Sequence, residues 1–235
     1  MEQILHQLPE FFSPTNVRIL AQSMGVTIAL TFFGCGLGFL FAFFIVFARQ
    51  TPGHWALPLR AAAIFFVEIF RRIPFLVTGY LVLFFLSAII RNPSLFVIAL
   101  MAIFIYATAY TADIVRGGLE SVPRTQIEAA QAMNFGRWRT LLHVIVPQSW
   151  PVILPPAMVF MVAFVKDTAV VSQLGVFELA FRGRELNNHG FSGVLVYSTI
   201  ALLYFAMSYP LTRFGQWLEK RLATPRSQKS KRKLR

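Results

Sequence analysis

The sequence predicts an all-α, polytopic membrane bundle of about five transmembrane helices, and three observations carry that prediction. Of 235 residues, 56% are hydrophobic and only 14% charged, whereas a soluble domain carries about 25% charged residues. Charge-free runs recur that are long enough to cross a hydrocarbon core of about 30 Å. Arginine and lysine collect in alternate connecting segments, as the positive-inside rule requires of a chain that threads a membrane repeatedly.

The spans follow in order. Ile19 to Ala48 contains no charged residue and forms the first, with length to spare for tilt. Leu57 to Ile90 suits one bent helix or two half-spans, because Pro74 lacks a helix donor and clashes with the preceding turn. Leu95 to Ala112 is free of charge, Trp150 to about Leu174 is apolar apart from Lys166 and Asp167, and Val194 to Thr212 is again charge-free. With the N-terminus outside, the inner side receives Arg49, Arg116, Arg124, Arg137, Arg139 and the tail from Lys220, and the outer side only Arg18, Arg91, Arg182 and Arg184.

This places the net charge of +12 in membrane flanks rather than on a nucleic-acid surface. Residues 1–222 read as a single transmembrane domain and 223–235 as a basic cytoplasmic tail beside anionic lipid. The single cysteine, Cys35, excludes a disulfide framework within the chain and a multi-cysteine metal site, and reads as a small buried hydrophobe.

Between the third and fourth spans lies an amphipathic loop, 120–147. Pro123 suits a first helical turn, and Ile127, Ala130 and Met133 recur along one side of a short helix. Asn134 is a good terminator because asparagine tolerates the left-handed conformation. A second helical run, Arg137 to Val146, leads to Pro147.

Within this loop, "EAAQAMN" followed by "HVIVPQ" resembles the EAA loop of the permease subunits of type I ABC importers, with Asn134 standing where that family has glycine. "VEIFRRIPFLV", "YTADIVRGGLESVP" and "VKDTAVVS" are similar to segments of the polar amino-acid branch of those permeases. Arg72 and Ile73 replace that branch's glycine and threonine. The resemblance runs from about Ile19 to Leu222 and implies the type I importer permease fold with a cytoplasmic coupling helix.

It also implies a division of labour. The chain has no G-x-x-x-x-G-K-[ST] loop, so ATP and Mg would be bound by a separate ATP-binding-cassette ATPase dimer, and no cofactor or metal belongs to this chain. Glu128 would anchor the coupling helix in a cleft of that ATPase, Ala129 and Ala130 would permit close packing, Asn134 would set the bend, and Gly136 belongs to the same coupling set. The implied partners are a second permease subunit, identical or homologous, a periplasmic or extracellular substrate-binding protein, a polar amino acid or derivative, and membrane lipid, with no nucleic acid. The implied location is the bacterial inner membrane.

Charges inside the spans are the remaining candidates, because each costs about 2.5 to 3.5 kcal/mol at mid-bilayer. Glu68 and Arg71 are three apart and can pair, while Arg72, four from Glu68, competes for it or points to a water-filled path. Lys166 pairs with a carboxylate on another helix, or Lys166, Asp167 and Thr168 line the substrate path with Glu68, Arg71 and Arg72. Asp113 and Arg116 read as an interfacial ion pair that Glu120 joins. Glu178, Arg182, Arg184 and Glu185 are either contacts for the binding protein or part of a solvated loop.

Two other functional classes fit these residues less well. A membrane-embedded enzyme finds no support in the four scattered histidines, His6, His54, His143 and His189, which form no H-E-x-x-H or other close ligand set. An ion-gradient-driven secondary transporter, with Glu68 or Asp167 relaying protons, predicts an internal inverted repeat that the sequence does not display.

Overall fold

In the computed structural model, which describes residues 2–222, every regular element among the described residues is helical. The tail 223–235 lies outside the described residues. A short helix α1 (Glu2–Phe11), absent from the sequence prediction, precedes the first span. The Ser13 hydroxyl then accepts a hydrogen bond from the Asn16 N–H (3.4 Å), and Pro14 opens α2 (Pro14–Gln50). At about 1.5 Å per residue this 37-residue helix overshoots a hydrocarbon core, so its ends project beyond it or it tilts.

The second span is broken rather than bent. α3 (Leu57–Arg72) and α4 (Phe75–Ile89) meet at 118° across Ile73 and Pro74. The proline ring excludes its predecessor from the α region, and Ile73 is extended at φ −83°, ψ 135°. The Ile73 N–H still closes α3 on the Ile69 carbonyl, and the Pro74 carbonyl accepts the first bond of α4 from Thr78. Val67 of α3 packs on Val46, Val115 and Ile153, whereas Val82 of α4 packs on Ile98 and Ala102. The two halves therefore cover opposite ends of the bundle, with the break between them.

α5 (Leu95–Glu120) continues eight residues past the predicted Ala112, because Asp113, Arg116 and Glu120 pair with one another along the helix and remain compatible with it. α6 (Arg124–Ala132) is the short helix of the loop, with Pro123 just outside it at the N-cap rather than in its first turn. α7 (Arg137–Thr140) runs through a π-helical turn (Leu141–Ile145) into α8 (Val146–Asp167). Pro151, Pro155 and Pro156 lie inside α8, each removing a backbone bond that neighbouring helices must make tolerable. A 3-10 turn (Thr168–Leu174) ends at Gly175, whose φ of 86° is left-handed. α9 (Leu179–Asn188) and α10 (Gly193–Leu222) complete the chain, α10 extending ten residues beyond the predicted Thr212.

α2 against α5 is the central contact. Gly34 and Gly38, one turn apart, present bare backbone to Ile103 and Ala107, and the Thr111 hydroxyl reaches the Gly38 carbonyl at 3.4 Å. A Cβ on Gly38 would lie 2.8 Å from Ala107 Cβ and 2.9 Å from the Thr108 nitrogen, neither of which is a flexible group. Gly36, between them, would meet nothing within 4 Å. Gly38→Ala should therefore destabilise by about 1 to 3 kcal/mol through overpacking. Gly36→Ala should be neutral or stabilise by up to about 1 kcal/mol, and thermal unfolding of the two variants in detergent checks the contrast.

Candidate functional site: the 121–145 loop and the broken span

The loop is built around one left-handed residue. After α6, the Phe135 N–H bonds the Ala130 carbonyl (3.0 Å) and the Asn134 N–H bonds the Gln131 carbonyl (2.9 Å), with Asn134 at φ 62°. This is the Schellman arrangement, in which the left-handed residue lets the chain turn back over the open carbonyls. Asparagine at 134 thus occupies the left-handed region that otherwise favours glycine. Gly136, by contrast, caps α7 at φ −64° and a side chain there would meet nothing within 4 Å, so neither conformation nor close packing requires its glycine.

The two alanines separate by direction. Glu128 and Ala129 are exposed, but Ala130 is buried at 1% exposure, so its smallness serves packing within this chain. Met133, expected on the same side as Ala130, is 64% exposed at the helix end. The rest of the loop grips α2: Arg137 Nη2 donates to the Gln50 carbonyl (2.6 Å), and Trp138 lies edge-on to Phe47 with ring centres 6.4 Å apart. Farther along, Trp150 packs on Phe43 and Phe39.

At the break, the structure reassigns the predicted pairs. Glu68 pairs with Arg72 (2.6 Å), not with Arg71. Successive helix residues project about 100° apart, so with Arg72 over Glu68, Arg71 turns to α5 and pairs with Asp113. The Tyr110 hydroxyl donates to the Arg71 carbonyl (3.3 Å), and its ring lies 5.7 Å from the guanidinium. Asp113 also accepts from Arg116 (3.1 Å), which reaches Glu120 (3.1 Å). A ladder of charge therefore descends α5 from the break to the turn before α6.

An aromatic cluster joins this ladder to α8. Tyr110 stacks on Phe160 (5.6 Å), Phe160 meets Phe164, and Phe164 and Tyr106 both pack on Phe75 directly after the break. Two and three residues beyond Phe164, Lys166 and Asp167 are exposed, and Lys166 forms no ion pair with another helix among the described residues, which corrects the predicted cross-helix pair. Thr168 is buried, its hydroxyl bonded to the Val165 carbonyl (2.6 Å). The candidate path residues thus lie in two groups flanking one aromatic cluster, with Glu68, Arg71 and Arg72 on the α3 side.

The opposite end holds a residue that the sequence reading misplaced. Glu178 is fully buried, so it is no docking contact. It caps α9 by accepting from the Phe181 N–H (2.7 Å) and from the Tyr204 hydroxyl of α10 (2.8 Å), while Thr27 of α2 donates at 3.4 Å. Burial pushes its carboxyl above the ordinary carboxylate range, against the pull of these donors. Arg182 and Arg184 are half-buried over Phe177 and Phe181. Gln7 of α1 bonds the Gly190 carbonyl (3.1 Å) and the Ser192 N–H (2.8 Å), which puts the N-terminus at the α9 end of the bundle.

Residues 54–224 match the family of binding-protein-dependent transport system inner membrane components. The chain belongs to that family. It is 27% identical over 209 residues to the inner membrane amino-acid ABC transporter permease protein YhdY of Escherichia coli K12, covering 86% of this chain but 57% of that longer relative. To the octopine transport system permease protein OccM of Rhizobium radiobacter it is 29% identical, covering 90% of this chain and 88% of the relative. A crystal structure of an amino acid ABC transporter superposes with a TM-score of 0.80 at 26% identity, over 88% of this chain and 95% of that one. This permease is accordingly a multi-pass inner-membrane subunit of an ABC importer, and the ion-gradient alternative falls away.

Two measurements examine this geometry. A non-glycine, non-asparagine residue in the left-handed region costs about 1 to 2 kcal/mol, so Asn134→Val should speed hydrogen exchange of the Phe135 amide by roughly ten-fold, whereas Asn134→Gly should preserve it. In double-mutant cycles of thermal stability, Arg71→Gln and Asp113→Asn should couple by at least about 0.5 kcal/mol, and Arg72→Gln with Asp113→Asn should not couple.

Proposed function

We propose that this permease carries a polar amino acid, or a derivative of one, inward across the membrane, powered by a separate ATP-binding-cassette ATPase dimer that binds ATP and Mg. The observation that carries the reading is the pairing of an outward-facing Glu128 and Ala129 on α6 with an exposed charged ledge at the break of the second span. Glu68 is 47%, Arg71 38% and Arg72 78% exposed, with Arg71 against Tyr110 near the midpoint of α5. Facing lipid there, each charge would cost about 2.5 to 3.5 kcal/mol. Facing a water-filled path beside a second permease subunit, identical or homologous, they offer guanidinium to a carboxylate and carboxylate to an ammonium.

The mechanical reading follows from connectivity. α6 docks on the ATPase through Glu128 and Ala129, with Asn134 setting its angle to α7. Its displacement enters α5 through the turn at Ser121 to Pro123 and reaches the break through Glu120, Arg116, Asp113 and Arg71. The proline-interrupted α8 follows through the π turn. The loop end is cytoplasmic by its arginines, which puts the N-terminus, α1 and α9 outside, where a soluble binding protein delivers substrate. The names of the relatives support an amino-acid cargo, and the basic flanks belong to the lipid surface rather than to nucleic acid.

Co-expression with the ATPase encoded beside it, followed by ATP-driven uptake in proteoliposomes, tests the assignment. Glu128→Lys and Ala129→Trp should each reduce uptake at least ten-fold while the chain remains folded. Retention of ATP-driven uptake by both variants, or uptake without ATP that an uncoupler abolishes, would overturn it.

A further inference from the structure

Behind α6 lies a cavity that the transport reading does not use. Its volume of about 660 Å³ falls within the range of ligand pockets, about 300 to 1,000 Å³. Its lining comes from Phe47 at the end of α2 and Thr51 just after it, from Ile127 of α6 and Phe135, and from Trp138, Leu141 and Ile145. Arg137 is the one charged residue among its described lining, and no carboxylate lines it.

Depth and charge identify an occupant. Phe47 is in the last turn of the first span, and Trp138 and Trp55 at this end are 68% and 76% exposed. Indoles exposed at the ends of membrane spans sit at headgroup level. The segments that frame the cavity, 47–60 and 121–146, hold five arginines and a single carboxylate, the outward-facing Glu128. A largely apolar slot at headgroup depth, lined by one exposed guanidinium and set in an electropositive frame, is complementary to an acidic phospholipid.

We propose that this cavity holds one anionic phospholipid of the adjacent leaflet, with the phosphate on Arg137 and an acyl chain between Phe47 and Leu141. Arg137 is exposed and spends Nη2 on the Gln50 carbonyl (2.6 Å), which holds the guanidinium beside the end of α2 and leaves Nη1 and Nε to donate to a ligand. Because both α2 and α6 contribute to the lining, the bound lipid braces α6 against the first span. The inference needs only a membrane-embedded chain and stands apart from the identity of the cargo.

Native mass spectrometry of the purified full-length chain in nonionic detergent, titrated with phosphatidylglycerol or phosphatidylcholine of identical acyl chains, tests it. Phosphatidylglycerol should be retained in preference. Arg137→Gln should weaken its retention by about five-fold, the effect of one basic residue at an anionic surface. Arg137→Lys should keep most of it, and Arg91→Gln, at the other end, all of it. Phosphatidylglycerol brominated on its acyl chain should quench the indole emission of the unaltered chain more than that of Trp138→Phe. Equal retention of the two lipids, an unaltered Arg137→Gln, equal quenching with and without Trp138, or displacement by millimolar inorganic phosphate alone would each overturn the proposal. Should Arg137→Gln not fold, lipid preference and quenching in the other proteins decide it.

Discussion

The close approach of α2 to α5 is the constraint on which the rest of the bundle depends. Lipid tails are as apolar as leucine, so helices in a membrane gain little by merely burying hydrophobic side chains, and contact must come from surfaces that interlock. Gly34 and Gly38 provide that surface by removing two side chains where Ile103, Ala107 and Thr108 approach. With the two long helices held together, α3 and α4 lie against opposite halves of α5, and α8 packs its Ile153 against Gly118. The same device recurs at Gly79 against Leu174 and at Gly183 against Ile200, so small residues mark the seams of the fold.

The second constraint is charge. A membrane chain places ionised groups at mid-height only where protein or water meets them, and here Glu68, Arg71 and Arg72 gather where the backbone of the second span is already broken. Pro74 ends α3 and leaves Arg71 and Arg72 at its last turn, so a single local rule both interrupts the span and presents two guanidinium groups on different faces. One face is tied to α5 and the other carries a local pair open to the surroundings. A break that is fastened on one side and polar on the other suits an element that moves as transport proceeds.

The loop between α5 and α8 joins these constraints to the end of the bundle opposite α9. Its shape rests on Asn134, its attachment on Arg137 and Trp138, and its outward face on Glu128 and Ala129. Ala130 shows how one motif serves two purposes, since adjacent residues project about 100° apart on a helix and, with Ala130 buried, only Ala129 is available to a partner.

Much of this protein was legible in the sequence, because membrane spans, proline breaks, helix caps and charge asymmetry are properties of short stretches of chain. The span order was readable from apolar runs of about twenty residues, and the break at Pro74, the left-handed Asn134 and the Asp113, Arg116 and Glu120 series from neighbours at most four positions apart. What the sequence by itself did not determine were choices between neighbours made by distant elements. Whether Arg71 or Arg72 paired with Glu68 depended on where α5 lay, and the burial of Glu178 depended on Thr27, 151 residues earlier in the chain, and on Tyr204. The docking of α1 on the α9 end and the cavity behind α6 likewise came from surfaces far apart in sequence. Local sequence determines which conformations a segment can adopt, whereas tertiary packing decides which side chains lose their water and which partners replace it.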